Sequence, residues 1–176
     1  MNADQMRDHC LQFAALYAFL QQDTAHRKHD PDAHNLCGAV IENRGAGTSE
    51  TLFSYSNPSA LKGAAYEGYD FVLGSGNSLN IINRGGMQDL HTEVRLLNAL
   101  YGANKFFNGA EISFFSSRSV CPTCRAAIYS VMQKTNGQVA IMAYEFKVEK
   151  FGSMTENVYP ILMADSRIEQ AQMPWQ

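Results

Sequence analysis

The chain of 176 residues contains few cysteines, no long apolar run and only a small imbalance of charge. Its four cysteines, Cys10, Cys37, Cys121 and Cys124, are too few and too unevenly spaced for a disulfide scaffold, which favours a reducing compartment. No apolar segment approaches the roughly 18 residues that a membrane span needs. A net charge of −3 argues against a protein that holds long stretches of duplex by charge alone, and leaves room for a local basic cleft around one strand.

The rest of the composition is ordinary for a globular domain, with 45% hydrophobic and 18% charged residues. The first ten residues, MNADQMRDHC, have no basic segment ahead of an apolar one, so we expect no signal peptide. The length suits one domain over residues 1–176. Within it, residues 58–89 form a glycine-rich insert that the pattern does not place, and residues 165–176 form a C-terminal tail, which we expect to be a short helix.

Alternating helical and strand patterns predict an α/β fold, with three layers (α/β/α) around a mixed five-stranded sheet. About ten residues separate the last two predicted strands, which is short for a crossover helix, so we expect that pair to be antiparallel. Asp89 is the predicted N-cap of the second helix, and Pro160 favours an edge position for the last strand. The predicted helices span residues 3–22, 89–102 and 121–136, and the predicted strands span 36–43, 50–57, 110–116, 138–146 and 157–163, with a short strand at 69–74.

Two cysteines three positions apart, Cys121 and Cys124, begin the third predicted helix in the stretch SVCPTC. They can be a pair of small buried side chains, a redox-active dithiol or part of a metal site. A C-P-x-C motif at a strand-to-helix junction is typical of glutaredoxin-like proteins, because a helix N-terminus lowers the pKa of a thiol. That interpretation leaves the stretch HTE, at residues 91–93, unexplained.

The metal interpretation uses that stretch. Zinc binds thiolates and imidazoles, and a catalytic zinc site keeps three protein ligands and a fourth position for water. His91 is followed two positions later by Glu93, and 27 residues separate Glu93 from Cys121. This H-x-E…C-x-x-C arrangement is that of the zinc deaminases, in which the glutamate is not a ligand. We therefore expect His91, Cys121 and Cys124 to bind Zn²⁺ and Glu93 to be catalytic; taken alone, Glu93 would be a solvated first-turn carboxylate.

HTE together with SVCPTC, and the order of the elements around them, resembles the cytidine deaminase superfamily. One departure is that Val120 stands where the usual pattern has proline, and Pro122 follows the first cysteine instead. This variation is similar to the deaminase domains of bacterial polymorphic toxins. The resemblance implies zinc-dependent conversion of cytosine to uracil in single-stranded DNA, with Glu93 moving protons from water to the ring nitrogen and to the departing amine.

Four residues are candidates for holding the substrate, one from the resemblance and three from their positions beside the cysteine motif. Asn57 ends the second strand, where the family often places an asparagine that holds the sugar or base, although a turn residue there needs no function. Ser117 and Ser119 precede the cysteines and are candidates for phosphate contacts or for a helix cap, with capping the simpler role for Ser119. Arg118 and Arg125 bracket the cysteine motif, and Arg118 is a candidate substrate-binding residue.

Further candidates for holding a single strand are the basic cluster at residues 26–29 and the aromatic residues Tyr66, Tyr69 and Phe71. Bases stack on aromatic rings while cations hold the phosphates, which is how single-stranded nucleic acid is bound. The alternative for each of these residues is an ordinary one, namely a solvated charge or an aromatic side chain of the core.

The toxin resemblance implies the excised domain of a larger secreted protein. Such a domain would act as a monomer in the target-cell cytoplasm, with a cognate immunity protein as partner and no membrane association. Two other functions stay open. One is deamination of free nucleosides or nucleotides, or of adenosine or cytidine in RNA; the other is a zinc-stabilised binding module whose metal has no open position.

Overall fold

The computed structural model describes residues 1–22, 34–57, 61, 68–73, 91–136, 138–148 and 158–165. Helices and strands alternate along these residues in the manner of an α/β domain. Their bounds are α1 Ala3–Gln22, β1 Leu36–Asn43, β2 Thr48–Tyr55, α2 Thr92–Gly102, β3 Ala110–Ser116, α3 Pro122–Lys134, β4 Ala140–Val148 and β5 Val158–Asp165.

The strands form one mixed sheet in the order β2-β1-β3-β4-β5. β1 pairs antiparallel with β2 on one side and with β3 on the other, β3 pairs parallel with β4, and β5 pairs antiparallel with β4. Parallel neighbours need a crossover connection, and α3 supplies it between β3 and β4. The predicted α/β class and the mixed sheet are confirmed.

Helix α1 covers one face of the sheet through a cluster of aromatic and aliphatic side chains. Phe13 lies at the centre of this cluster, with its ring centroid 5.2 Å from that of Phe115 and 5.4 Å from that of Phe53. Gly38 in β1 lies beneath the ring, and a Cβ atom added there would be only 2.8 Å from Phe13 Cζ. The absence of a side chain at Gly38 is therefore what lets the helix approach the sheet. The buried members of the cluster are Cys10, Phe13, Ala14, Leu16, Tyr17, Leu20, Leu36, Val40, Phe53, Tyr55, Phe115 and Phe146.

Helices α2 and α3 cover the opposite face. Successive side chains of a strand point to opposite faces, so Phe114 belongs to the cluster beneath α2 and α3 while Phe115 belongs to the cluster beneath α1. Apolar side chains of both helices pack against this face of the sheet in one cluster, so the sheet is covered on both sides. The helical residues of this cluster are Val94, Leu96, Leu97, Leu100, Cys124, Ala127, Ile128, Val131 and Met132.

The second helix starts later than its pattern predicts. It begins at Thr92 with His91 as N-cap, so the predicted cap at Asp89, which lies outside the described residues, is wrong. The backbone of His91 is extended and its side chain makes no capping hydrogen bond. The imidazole instead lies against Cys121 and Cys124, so a histidine occupies a position where a short polar residue is usually preferred.

Part of the predicted insert and tail lies outside the described residues. Within the insert the structure describes residues 61 and 68–73, where Phe71 forms an isolated parallel bridge with Phe53 in β2. The basic cluster at 26–29 and the tail after Asp165 are not among the described residues. No helix in the described part of the chain has the length and apolar character of a membrane span.

Replacing Gly38 by alanine should destabilise the fold by about 1–3 kcal/mol, the usual cost of overpacking a core, because the new methyl group would press on Phe13. Denaturant unfolding measures the change. Gly45→Ala is the matched control, since its Cβ would meet only Asn43 Oδ1, at 3.5 Å. The Phe13→Leu background should reduce the penalty of Gly38→Ala; an equal penalty in both backgrounds would contradict the packing described here.

Candidate metal centre

The first ligand candidate, His91, lies at the N-terminus of α2. As the N-cap it has φ −87° and ψ 123°, and its side chain makes no capping hydrogen bond. The ring instead points to the start of α3, where His91 Nδ1 lies 3.4 Å from Cys121 Sγ and 3.4 Å from Cys124 Sγ. One imidazole nitrogen therefore faces both sulfur atoms.

The other two candidates are held by the first turn of α3. Cys121 is the N-cap, and its Sγ accepts a hydrogen bond from the main-chain N–H of Cys124 at 3.4 Å. Pro122 occupies the first turn, where its missing N–H would have had no partner in the helix. The spacing of three residues places both cysteines on one side of the helix. The C-P-x-C stretch thus caps its own helix and presents two sulfur atoms together.

Together these residues form a group that can hold a metal ion. The ligand atoms of His91, Cys121 and Cys124 all lie within 4.8 Å of one another. Two thiols and an imidazole are a soft donor set, which suits zinc and related transition metals better than magnesium or calcium. The three predicted ligands are therefore brought together, and they fit the chemistry of a transition-metal site.

The two thiols differ in acidity because they share a hydrogen bond. The side-chain hydrogen bond from Cys124 lowers the pKa of Cys121 to about 5, helped by the Cys124 main-chain N–H and by His91. The same hydrogen bond, together with burial, raises the pKa of Cys124 well above its ordinary value. Metal binding requires deprotonated thiols, so a bound ion would release the protons that the pair still carries.

Glu93 lies beside this group and is only 3% exposed. Cys124 Sγ lies within hydrogen-bond distance of Glu93 Oε2, at 3.3 Å, and the hydroxyl of Thr92 donates to the same oxygen at 3.0 Å. Asn35 Nδ2 and Ser116 Oγ lie 3.2 Å and 3.1 Å from Oε1. The interpretation of Glu93 as a solvated first-turn carboxylate is thus wrong, because the side chain is buried and both of its oxygens have hydrogen-bond donors.

An open cavity of about 340 Å³ gives access to these groups. A second cavity, of about 420 Å³, adjoins it, and the two share Arg118 and Ser119. The site therefore opens to a concave surface large enough for a nucleobase and continues beyond it. The first cavity is lined by Asn35, Ser56, His91, Thr92, Glu93, Arg118, Ser119 and Cys121, and the second by Tyr17, Ser117, Arg118, Ser119 and Glu145.

The predicted substrate residues fall at different places around the cavities. Arg118 and Ser119 are exposed and line both of them. The predicted cap at Ser119 is wrong, because Cys121 caps α3 and Ser119 Oγ donates to Glu145 at 2.8 Å. Among the described residues, Ser56 lines the first cavity, whereas its neighbour Asn57 does not.

Ser117 faces inward, where its hydroxyl donates to Asn35 Oδ1 at 2.8 Å and accepts from the main-chain N–H of Leu36 at 3.0 Å. Of the predicted stacking aromatics, Tyr69 and Phe71 pack around Phe53 with ring centroids 5.5 Å away, so they contribute to the core. Tyr66 lies outside the described residues.

Three residues near Glu93 were not predicted as site residues, namely Asn35, Thr92 and Ser116. Thr92 is the middle residue of the HTE stretch and could have been suspected from that position. Asn35 and Ser116 lie at the ends of neighbouring antiparallel strands, just before β1 and at the end of β3. The only signal for them is polar residues at two strand ends, which becomes informative once the pairing of those strands is known.

Comparison of the chain with protein-family models, with curated proteins and with solved structures finds no match. The chemistry of the site therefore gives the best indication of function, since a fold by itself does not determine an activity.

We expect the purified protein to bind one equivalent of zinc or cobalt(II), and His91→Ala or Cys124→Ser to abolish equimolar binding. Elemental analysis after dialysis measures the stoichiometry, and cobalt(II) reports sulfur ligation through thiolate-to-cobalt charge-transfer absorption. Cys10→Ala is the matched control, because Cys10 is a buried residue of α1, in the cluster on the other face of the sheet. Equimolar binding that survives both ligand substitutions would disprove the site.

Proposed function

We propose that the chain is a zinc-dependent hydrolytic deaminase that converts cytosine to uracil in single-stranded DNA. The observation that carries the proposal is the position of Glu93: a buried carboxylate, 3.3 Å from one candidate ligand sulfur, at the wall of an open cavity. A metal-ligand group with a non-ligating glutamate beside it is the constellation of the zinc deaminases. The strand order β2-β1-β3-β4-β5, with helices on both faces, supports the three-layer, five-stranded cytidine-deaminase-like architecture of the proposal.

Zinc is the metal that we propose for the donor set of His91, Cys121 and Cys124. One imidazole and two thiolates occur in catalytic zinc sites, where three protein ligands leave one position open. Cys121 and His91 both line the cavity, so an ion held by these residues would be accessible to a substrate bound there. When bound, zinc supplies Lewis-acid activation of water, whose pKa it lowers towards about 7.

The proton transfers of the reaction fall to Glu93. Hydrolysis consumes one water and releases one ammonia, so a base must take both protons of that water, the second one after its oxygen has bonded to the ring carbon. The conjugate acid must deliver one proton to the ring nitrogen and one to the departing amine. Glu93 Oε2 faces the ligand group. A ligating Cys124 has given up its thiol proton, so in the loaded enzyme Cys124 no longer donates to Oε2. That oxygen is then available to exchange protons with water and substrate.

A polynucleotide is the substrate that we favour over a free nucleoside. The second cavity provides space beyond the first, and the exposed guanidinium of Arg118 lies between them, where a phosphate joining two nucleotides would pass. Phosphate contacts of this kind position a strand, and a base is reachable only when it is unpaired or flipped out. These features favour a single strand, and the toxin-like cysteine motif favours DNA and cytosine.

The proposal extends to the biological setting that the resemblance implies. The chain would be the toxin domain of a larger secreted antagonism protein, acting as a monomer in the cytoplasm of the target cell and inhibited by a cognate immunity protein. The alternative substrates are free nucleosides or nucleotides, and adenosine or cytidine in RNA. A zinc-stabilised binding module is the non-enzymatic alternative.

A second candidate function, thiol–disulfide exchange, is favoured by one observation. Cys121 caps α3, its pKa is lowered to about 5, and Cys124 is buried behind it, as in many dithiol oxidoreductases. The approach of His91 Nδ1 to both sulfur atoms has no role in that chemistry. A reduction assay with a small disulfide substrate tests this alternative directly.

We expect the zinc-loaded protein to produce uracil in a cytosine-containing single strand, and Glu93→Gln to reduce the rate by about 10²–10⁴-fold, the range of general acid–base catalysis. The assay compares single-stranded DNA, duplex DNA, RNA and free cytidine, and scores both C-to-U and A-to-I conversion. Glu111→Gln is the matched control. Glu111 lies in β3, forms a 2.8 Å ion pair with Arg44 and is not among the residues that line the cavity.

Full activity of Glu93→Gln with normal zinc content would contradict the role of Glu93. Conversion of cytidine alone would replace the polynucleotide with a nucleoside substrate. The absence of any deamination by zinc-loaded protein would favour the binding module.

Arg118→Ala should weaken binding of a single-stranded oligonucleotide and lower the slope of log K against log salt by about 0.7, the value for one phosphate contact on a single strand. Fluorescence anisotropy at several salt concentrations measures both effects. Arg44→Ala, which removes another exposed arginine far from the cavities, should leave the slope unchanged. An unchanged slope for Arg118→Ala would show that Arg118 does not contact a phosphate.

A further inference from the structure

Glu93 is held by a hydrogen-bond network that extends through Asn35 and Ser117 to the main chain of β1. Ser117 Oγ accepts from the main-chain N–H of Leu36 at 3.0 Å. Its hydroxyl donates to Asn35 Oδ1, 2.8 Å away, and the hydroxyl of Ser116 lies 3.0 Å from the same oxygen. An amide has one acceptor end and one donor end. Two hydroxyl groups at Oδ1 therefore favour the orientation in which the Nδ2 end of Asn35 faces Glu93.

With Oδ1 directed to Ser117, the Nδ2 end of Asn35 faces Glu93 and Thr92. Its two protons have two acceptors, Glu93 Oε1 at 3.2 Å and Thr92 Oγ1 at 2.8 Å. Because Thr92 Oγ1 accepts from Asn35, its own proton goes to Glu93 Oε2, 3.0 Å away. One amide thus determines a donor to each oxygen of the carboxylate, one directly and one through Thr92.

The two oxygens of Glu93 are left in different situations. Oε1 lies between Asn35 and the hydroxyl of Ser116, away from the ligand cysteines. Oε2 faces Cys124 Sγ at 3.3 Å and accepts from the hydroxyl of Thr92 at 3.0 Å. Oε1 is therefore an anchored oxygen and Oε2 the oxygen presented to the ligand group. Catalysis by a positioned acid or base depends on this kind of pre-arranged geometry.

We propose that Asn35 and Ser117 are positioning residues that orient Glu93 so that Oε2 is the oxygen that exchanges protons. This inference deepens the proposed function and rests on it. It assigns Ser117 an orienting role in place of the phosphate contact considered from the sequence, and it gives Asn35, which lines the cavity, a role that acts through Glu93 rather than on the substrate.

The first test is kinetic and uses the zinc-loaded protein with a single-stranded DNA substrate. Asn35→Asp places an acceptor against the acceptors of Glu93, and we expect kcat to fall by about 10²-fold, the size of a small misplacement of a reacting group. KM and zinc content should not change. Ser117→Ala should lower kcat by about tenfold, and Ser117→Thr, which retains the hydroxyl, should restore it. Asn43→Asp makes the same chemical change at the opposite end of β1. Asn43 Oδ1 accepts a hydrogen bond from the main-chain N–H of Ala46, which an aspartate oxygen can also accept, so this control should have no effect.

The second test needs no activity and so separates this inference from the proposed function. Asn35→Asp should raise the unfolding equilibrium constant by about tenfold or more, since a hydrogen bond to a charged group is replaced by repulsion. In the Glu93→Gln background the glutamine amide can donate to the new carboxylate, so Asn35→Asp should raise the unfolding equilibrium constant much less there.

A rise in KM with unchanged kcat for Asn35→Asp would overturn the inference, because Asn35 would then act on the substrate. An equal destabilisation by Asn35→Asp with and without Glu93→Gln would also overturn it. If the wild-type protein deaminates nothing, the proposed function fails, and the stability comparison alone decides whether Asn35 positions Glu93. If Asn35→Asp does not fold, the Ser117→Ala and Ser117→Thr pair decides: loss of kcat with rescue supports the inference, and an unchanged kcat in Ser117→Ala contradicts it.

Discussion

The approach of His91 to Cys121 and Cys124 is the contact on which the chemistry of this domain depends. It is a product of the fold, because α2 and α3 cover the same face of the sheet and share one apolar cluster. The parallel pairing of β3 with β4 requires α3 to cross over that face, so the N-terminus of α3 lies at the end of β3. Each helix contributes its N-cap residue to the site. The positive ends of two helices therefore face the thiols, and this favours thiolates.

The polar groups around Glu93 have a different physical character from the core that surrounds them. Burying a carboxylate, an amide and several hydroxyls is costly unless each one has its partners. Here donors and acceptors match around Asn35, and Glu93 has a donor on each oxygen. A packed apolar group would fill this volume at lower cost. A satisfied polar network beside three metal-ligand candidates is the feature from which we propose a catalytic role for Glu93.

The ligand group could be predicted from the sequence because each of its two motifs is short and has a fixed spacing along the chain. The H-x-E and C-x-x-C stretches each fix side chains within one helical turn, and chemistry limits what such residue types do together. Helix α1 and strands β1 and β3 were also predicted at the bounds observed, since each has a clear period and clear ends. The start of α2 was predicted too early because aspartate is a common N-cap residue, which favoured Asp89. The N-cap in the structure is His91, whose ring lies against Cys121 and Cys124.

Asn35 and Ser116 could not be predicted in the same way. Their contacts with Glu93 join positions 58 and 23 residues apart in the chain, and they arise only from the antiparallel pairing of β1 with β3. Ser117 was singled out from the sequence with another role, because its position beside the cysteine motif is visible in the sequence and its orientation towards Leu36 and Asn35 is not. Local motifs thus indicated the metal ligands, while tertiary pairing determined what orients the glutamate.

The most direct measurement of the central claim is zinc K-edge X-ray absorption on the purified protein. The account predicts one zinc ion with two sulfur neighbours at about 2.3 Å and two lighter neighbours at about 2.0–2.1 Å, one from His91 and one from solvent. A first shell without sulfur, a shell filled by four protein ligands, or a working protein in which Cys121 and Cys124 are joined in a disulfide would contradict it.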